Sequence, residues 1–173
     1  MRTQVIEKVL YKFEELTEEQ KEKAIEKLYD INVDADWWQS TYEDAREIGL
    51  KITGFDIDRG SYCKGSFILS ASEVAQNIFN EHGEKCETYK TAMSFMEEWQ
   101  PVFNDYMDES SPNYESGKSE DKLMELEDEF LKSLLEDYRI MLSHEYDYQT
   151  SKEAIIETIK ANDYEFDENG NLA

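Results

Sequence analysis

Residues 50–69, LKITGFDIDRGSYCKGSFIL, decide the fold class, because they read as two strands with a turn between them. Apolar residues alternate along LKITGFDID, but their phase moves from Leu50 and Ile52 to Phe55 and Ile57 across Gly54, as in a bulged strand. Asp58-Arg59-Gly60-Ser61 supplies turn chemistry, and Tyr62 to Leu69 the returning strand. Segments of helical period flank this hairpin on both sides. The pattern predicts an α+β chain, with a small antiparallel sheet of roughly three to four strands packed with about six helices.

Upstream, QVIEKVLYKF (4–13) places Val5, Val9, Tyr11 and Phe13 on one face at period two, with Lys8 and Lys12 on the other, so a first strand is expected. Thr17-x-x-Gln20 has the spacing of a capping box and opens a helix to about residue 30 that buries Ala24, Ile25 and Leu28. After a break at 32–36, a second helix over about 36–48 carries Trp38, Tyr42 and Ala45 on one stripe and stops at Gly49. Trp37 falls off that stripe.

Downstream, Ser70-x-x-Glu73 is a second capping box, before a helix that carries Val74, Ile78 and Phe79 and ends near Gly83. The next helical pattern runs from about Thr88 through Met93, Met96 and Trp99 to Pro101, where a kink or a new helix is expected. Residues 108–119 read as a loop. Ser119 is placed to cap the longest helix, about 120–146, whose stripe is Leu123, Leu126, Phe130, Leu134, Tyr138 and Met141. Thr150-x-x-Glu153 reads as a third capping box, before a helix with Ile155, Ile156 and Ile159, and Tyr164 to Phe166 with Leu172 as a short terminal strand or hairpin. With 173 residues, 39% of them apolar, one domain with a single core is expected.

Charge bounds the function. The chain holds 41 Asp and Glu against 18 Lys and Arg, a net of −23. Such a field repels nucleic acid and anionic membrane and draws in basic surfaces, so the expected partner is a basic protein such as a nuclease. The excess is local: residues 105–147 carry fourteen Asp and Glu against Lys118, Lys122, Lys132 and Arg139, a net of −10. On a helix, Asp121, Glu125, Asp128 and Glu136 fall on one face at intervals of roughly 5 to 12 Å. A row of this kind offers a nucleic-acid-binding protein carboxylates in place of phosphates. The plain reading is a solvated helix face.

The hairpin differs. Residues 51–65 set Lys51, Arg59 and Lys64 against Asp56 and Asp58, and present Phe55 and Tyr62. Aromatics beside an arginine are the composition of a binding hot spot, while the plain reading packs the rings on the helices. Trp37 is a further candidate contact, and through it or the hairpin the chain could oligomerise. The oligomeric state stays open.

Little points to catalysis. There is no glycine-rich phosphate loop, no G-x-S-x-G and no H-E-x-x-H, so an enzyme is not expected, with one acting on nucleotides kept as the alternative. His82-x-x-x-Cys86 with Cys63 and His144 is too loosely spaced for a zinc site, and Asp56-x-Asp58-x-Gly60 lacks the glutamate of a calcium loop, Phe67 standing in that position. No metal and no cofactor are expected. Two cysteines read as free thiols of a reducing compartment. Met1-Arg2-Thr3-Gln4 opens no apolar signal stretch, and no run suits a membrane helix, so cytoplasmic residence is expected.

YKFEELTEEQKEKAIEKLYDINVDADWW (Tyr11 to Trp38), YEDAREIGLKITGFDIDRGSYCKG (Tyr42 to Gly65) and IIETIKANDYEF (Ile155 to Phe166) together span nearly the whole chain. They resemble a family of small phage- and prophage-encoded proteins, some labelled antitoxins of toxin–antitoxin stability systems. The resemblance implies a bacterial host cytoplasm and a neutralising role, against a toxin or against a host defence enzyme that grips nucleic acid. An anti-CRISPR or similar inhibitor fits the charge. The antitoxin label fits it less well, because antitoxins often carry a basic DNA-binding segment and none is visible here.

Overall fold

The structure is a computed structural model and describes residues 9–113 and 117–173. The start of the expected first strand, with Val5 and Lys8, lies outside the described residues. In chain order the elements are β1 (Tyr11–Lys12), α1 (Glu18–Lys27), α2 (Gln39–Glu47), β2 (Leu50–Asp56), β3 (Tyr62–Phe67), α3 (Ala71–Glu81), α4 (Glu87–Met107), α5 (Lys118–Gln149), α6 (Lys152–Ala161) and β4 (Glu165–Phe166). The architecture is α+β, its strands joined as two antiparallel pairs, β1 with β4 and β2 with β3. Contacts divide the chain into two compact units, Met1–Trp37 with His144–Ala173, and Trp38–Ser143. Buried residues form a separate cluster in each, rather than the single core expected from length, because the stripes of α1 and α6 close on each other and on β4.

In the middle unit the hairpin pairs Leu50 with Phe67 through Asp56 with Tyr62, and the register shifts between Ile52 and Gly54. The bulge thus falls at Thr53, whose hydroxyl donates to the Lys64 carbonyl at 3.3 Å. It accounts for the phase change seen in the sequence: Leu50 and Ile52 are buried, while Phe55 is half-buried. Gly65 sits opposite Ile52, and a Cβ there would stand 2.5 Å from the Lys51 carbonyl oxygen. Only glycine fits. Gly49 ends α2 at φ 94°, as its position predicts.

The long helices correct three expectations. α4 neither ends nor restarts at Pro101 but continues to Met107, and its buried stripe is Thr88, Ala92, Phe95 and Trp99, with Met93 45% exposed. On α5 the stripe runs on from Tyr138 to Leu142, four residues later, and Met141 faces outward. Ser119 lies inside α5 and does not cap it, since its hydroxyl donates to Asp105 at 2.5 Å. The core of this unit is ring-rich, with Phe95 and Phe130 stacked 4.2 Å apart and Phe67 5.6 Å from Phe130.

In the other unit, β1 pairs with β4 through Tyr11–Phe166 and Lys12–Glu165. The first strand is shorter than its alternation suggests: Val9 is 69% exposed, and Phe13 turns into a 3-10 turn (Phe13–Glu15) that buries its ring against Phe166. Capping boxes form at Thr17 and, in the middle unit, at Ser70. The third does not. Ser151 caps α6, accepting from the Ala154 N–H at 3.2 Å, while the Thr150 hydroxyl donates back to the Tyr146 carbonyl. Among the described residues no helix is long and apolar enough to cross a membrane.

Candidate functional site

α5 brings the four expected carboxylates to one exposed face, opposite the stripe Leu123, Leu126, Phe130, Leu134 and Tyr138. The helix holds ten Asp and Glu against four Lys and Arg. Three of those cations are tied within it. Lys122 donates to Glu125 at 2.8 Å, Lys132 pairs with Asp128, and Arg139 grips Glu136 with two hydrogen bonds of 2.7 and 2.8 Å. That grip holds the Glu136 carboxyl below the usual carboxylate range. The row is therefore interrupted: Lys132 and Arg139 lie along the same face as Asp128 and Glu136. Their spacing, four residues after Asp128 and three after Glu136, carried that signal in the sequence. Exposed pairs of this kind contribute little to stability, so a partner's cations can replace them at small cost. Asp121, nearest the start of the helix, stands clear of these pairs.

The expected hairpin residues divide. Phe55 is turned inward, with Trp38 at 5.8 Å and Tyr42 at 6.1 Å, both edge-on. Tyr62 is 41% exposed, and the Lys64 ammonium lies 4.5 Å from its ring centre. Lys51, Arg59 and Lys64 are all exposed, and among the described residues none is in an ion pair. The apparent calcium-loop aspartates form a local turn, Asp58 N–H donating to Asp56 at 2.8 Å. Trp37 belongs to the other unit, where it packs on Tyr146 at 5.5 Å.

A part-buried polar chain links α2, α4 and α5 with the end of α3. Tyr138, fully buried, donates to Asp44 at 2.7 Å; His82 Nε2 lies 3.5 Å from the other Asp44 oxygen; and His82 Nδ1 is 2.7 Å from the Thr88 hydroxyl. Burial pushes the Asp44 carboxyl up, but hydrogen bonds from His82 and Tyr138 outweigh it and hold the group below its ordinary range. Thr88–His82–Asp44 is the order of nucleophile, base and orienting acid. Yet Thr88 is 3% exposed in the first turn of α4, so its hydroxyl is closed to a substrate. The chain clamps four helices. His82 is thereby committed to Asp44 and Thr88, and among the described residues no three His, Cys, Asp or Glu gather closely enough to hold a metal.

Sequence reasoning missed this chain because its members lie far apart, Asp44 and Tyr138 by 94 positions. It also missed a groove of about 320 Å³ between α4 and α5, lined by residues such as Ser94, Glu98, Glu129 and Ser133. The small residues Ser94 and Ser133 on neighbouring stripes were its only trace. Comparison with protein-family models, curated proteins and solved structures finds no match to this chain.

Proposed function

We propose that the protein acts by binding, and that the acidic face of α5 engages the basic groove of a nucleic-acid-binding protein and so inhibits it. The observation that carries this reading is the surplus of carboxylates on α5, ten acidic residues against four basic, with Asp121, Glu125, Asp128 and Glu136 together on one exposed face and three of the four cations already tied to that same helix. Nucleic-acid grooves attract phosphates through Lys and Arg, and a fixed row of carboxylates competes for the same side chains. The sequence resemblance supplies the setting, a phage-derived inhibitor of a host defence protein in the bacterial cytoplasm. An antitoxin would use the same face against a basic toxin.

The test is affinity capture from a bacterial host lysate at low and high salt, alongside a variant with Asp121, Glu125, Asp128 and Glu136 all reversed to Lys. Nucleic-acid-binding proteins retained at low salt and lost both at high salt and by the variant are the expected result. The same proteins retained under every condition would sink the reading.

A second reading draws on the hairpin. Three exposed cations outside any ion pair among the described residues, beside the exposed Tyr62, form a contact surface. If it serves self-association, light scattering on the eluting peak will give a mass above 20.4 kDa; a monomer at high concentration removes this reading.

A further inference from the structure

α4 and α5 run antiparallel, as the side-chain pairs Thr91–Asp137, Trp99–Glu127 and Asp105–Ser119 require. The stacked rings of Phe95 and Phe130 set their spacing. Above the rings the facing residues are small, Thr91 and Ser94 on α4 and Ser133 on α5, so a trench of about 320 Å³ is left along the seam. Its floor is apolar: Phe95, Leu126 and Phe130. Its walls carry one carboxylate each, Glu98 from α4 and Glu129 from α5, and Lys90 of α4 also lines it.

Those carboxylates are available. The Lys90 ammonium is held by Glu87 at 2.6 Å and that of Lys122 by Glu125 at 2.8 Å, neither acid lining the trench. Among the described residues Glu98 and Glu129 are in no ion pair, though both add to the field that raises the Lys122 pKa, after its own bond to Glu125. Both acids therefore lie within electrostatic reach of the Lys122 ammonium.

We infer that this trench receives an arginine side chain from the basic partner, a step that rests on the binding reading above. Its features match a guanidinium. The side chain's methylenes lie on the apolar floor, the planar head reaches a carboxylate on each wall, and the Ser94 and Ser133 hydroxyls accept further N–H bonds. A lysine ammonium is compact and strongly hydrated, so it gains less from an apolar floor. The acidic face of α5 then supplies attraction at a distance, and the trench supplies an anchor.

The experiment compares two labelled peptides of equal length and charge, one arginine-rich and one lysine-rich, binding to the full chain at fixed low salt. The wild type is expected to prefer the arginine peptide by about tenfold. That preference should fall to near unity in Ser133→Phe, which fills the trench from an exposed position, and in Glu98→Gln with Glu129→Gln. Glu22→Gln with Glu26→Gln on α1, an equal loss of charge, should leave it intact. Circular dichroism checks folding, and the glutamine pair keeps the test decisive if the phenylalanine disturbs packing. Equal binding of the two peptides by the wild type, or a preference that survives both trench variants, overturns the inference. If both peptides bind equally and reversal of the four α5 carboxylates abolishes both, the trench fails while the acidic-face reading stands. If neither peptide binds at low salt, both fail.

Discussion

Single side chains show why burial must be known before chemistry is assigned. Tyr138 is fully buried with one acceptor, Asp44, whereas Asp44 keeps its side chain 38% exposed. Removing the acceptor therefore costs more than removing the donor. Asp44→Ala is expected to destabilise by about 1–3 kcal/mol, because it strands a buried hydroxyl, and Tyr138→Phe by about 1 kcal/mol or less. Denaturant melts of the two variants would show the order, and the reverse order would contradict it. The depressed Asp44 carboxyl also gives a sign: its contribution is present above the unfolded value near pH ~3.9 and is lost as pH falls through the folded value. Cys63 behaves oppositely. Burial, helped by the Glu136 charge, pushes its thiol up to about 11, while Cys86 is exposed. At pH near 8 a thiol reagent should label Cys86 promptly and Cys63 about a hundredfold more slowly until the chain unfolds. Rapid labelling of both in the native state would refute this. Of this only the burial of Tyr138, on the stripe of the long helix, was legible in the sequence, where the two cysteines look alike.

At the scale of elements, local signals were readable and distant ones were not. The boxes at Thr17 and Ser70 need only residues within one turn, and both form. Thr150-x-x-Glu153 has the same spacing but fails, because α5 continues far enough for Thr150 to bond back to Tyr146 while Ser151 is next in line. The stripe of α5 was legible to Tyr138, where 3-and-4 spacing allows either Met141 or Leu142 and the core takes Leu142. The bulge was also legible, since it shifts the apolar phase of β2. What the sequence could not show is why residue 65 is glycine: a Cβ would meet the Lys51 carbonyl at 2.5 Å and Leu135 at 3.0 Å. Gly65→Ala should cost about 1–3 kcal/mol by overpacking, whereas Gly54→Ala, with open space around it, should cost less. Thermal melts would decide, and equal costs would mean that the strands separate more easily than this packing implies.

At the scale of the whole molecule, charge is the dominant fact and was fully legible: −23, with ten of the acidic residues on α5. The face opposite its core stripe could be drawn from helical spacing alone. The trench between α4 and α5 could not, because it depends on which rings meet across two helices, Phe95 of one on Phe130 of the other. Self-repulsion predicts that raising ionic strength from about 0.01 M to about 0.15 M, which shortens the screening length from about 30 to about 8 Å, will raise the melting temperature. A fall would mean that ion pairs such as Arg139–Glu136 outweigh the repulsion.

The central claim is that this acidic face displaces nucleic acid from a basic groove. It is tested most directly by titrating the protein into a preformed complex of labelled DNA with a captured partner, while following the anisotropy of the DNA. The account predicts release of the DNA by the wild type and none by the variant with Asp121, Glu125, Asp128 and Glu136 reversed. A partner that holds the protein and the DNA at once, with anisotropy undiminished, would contradict it.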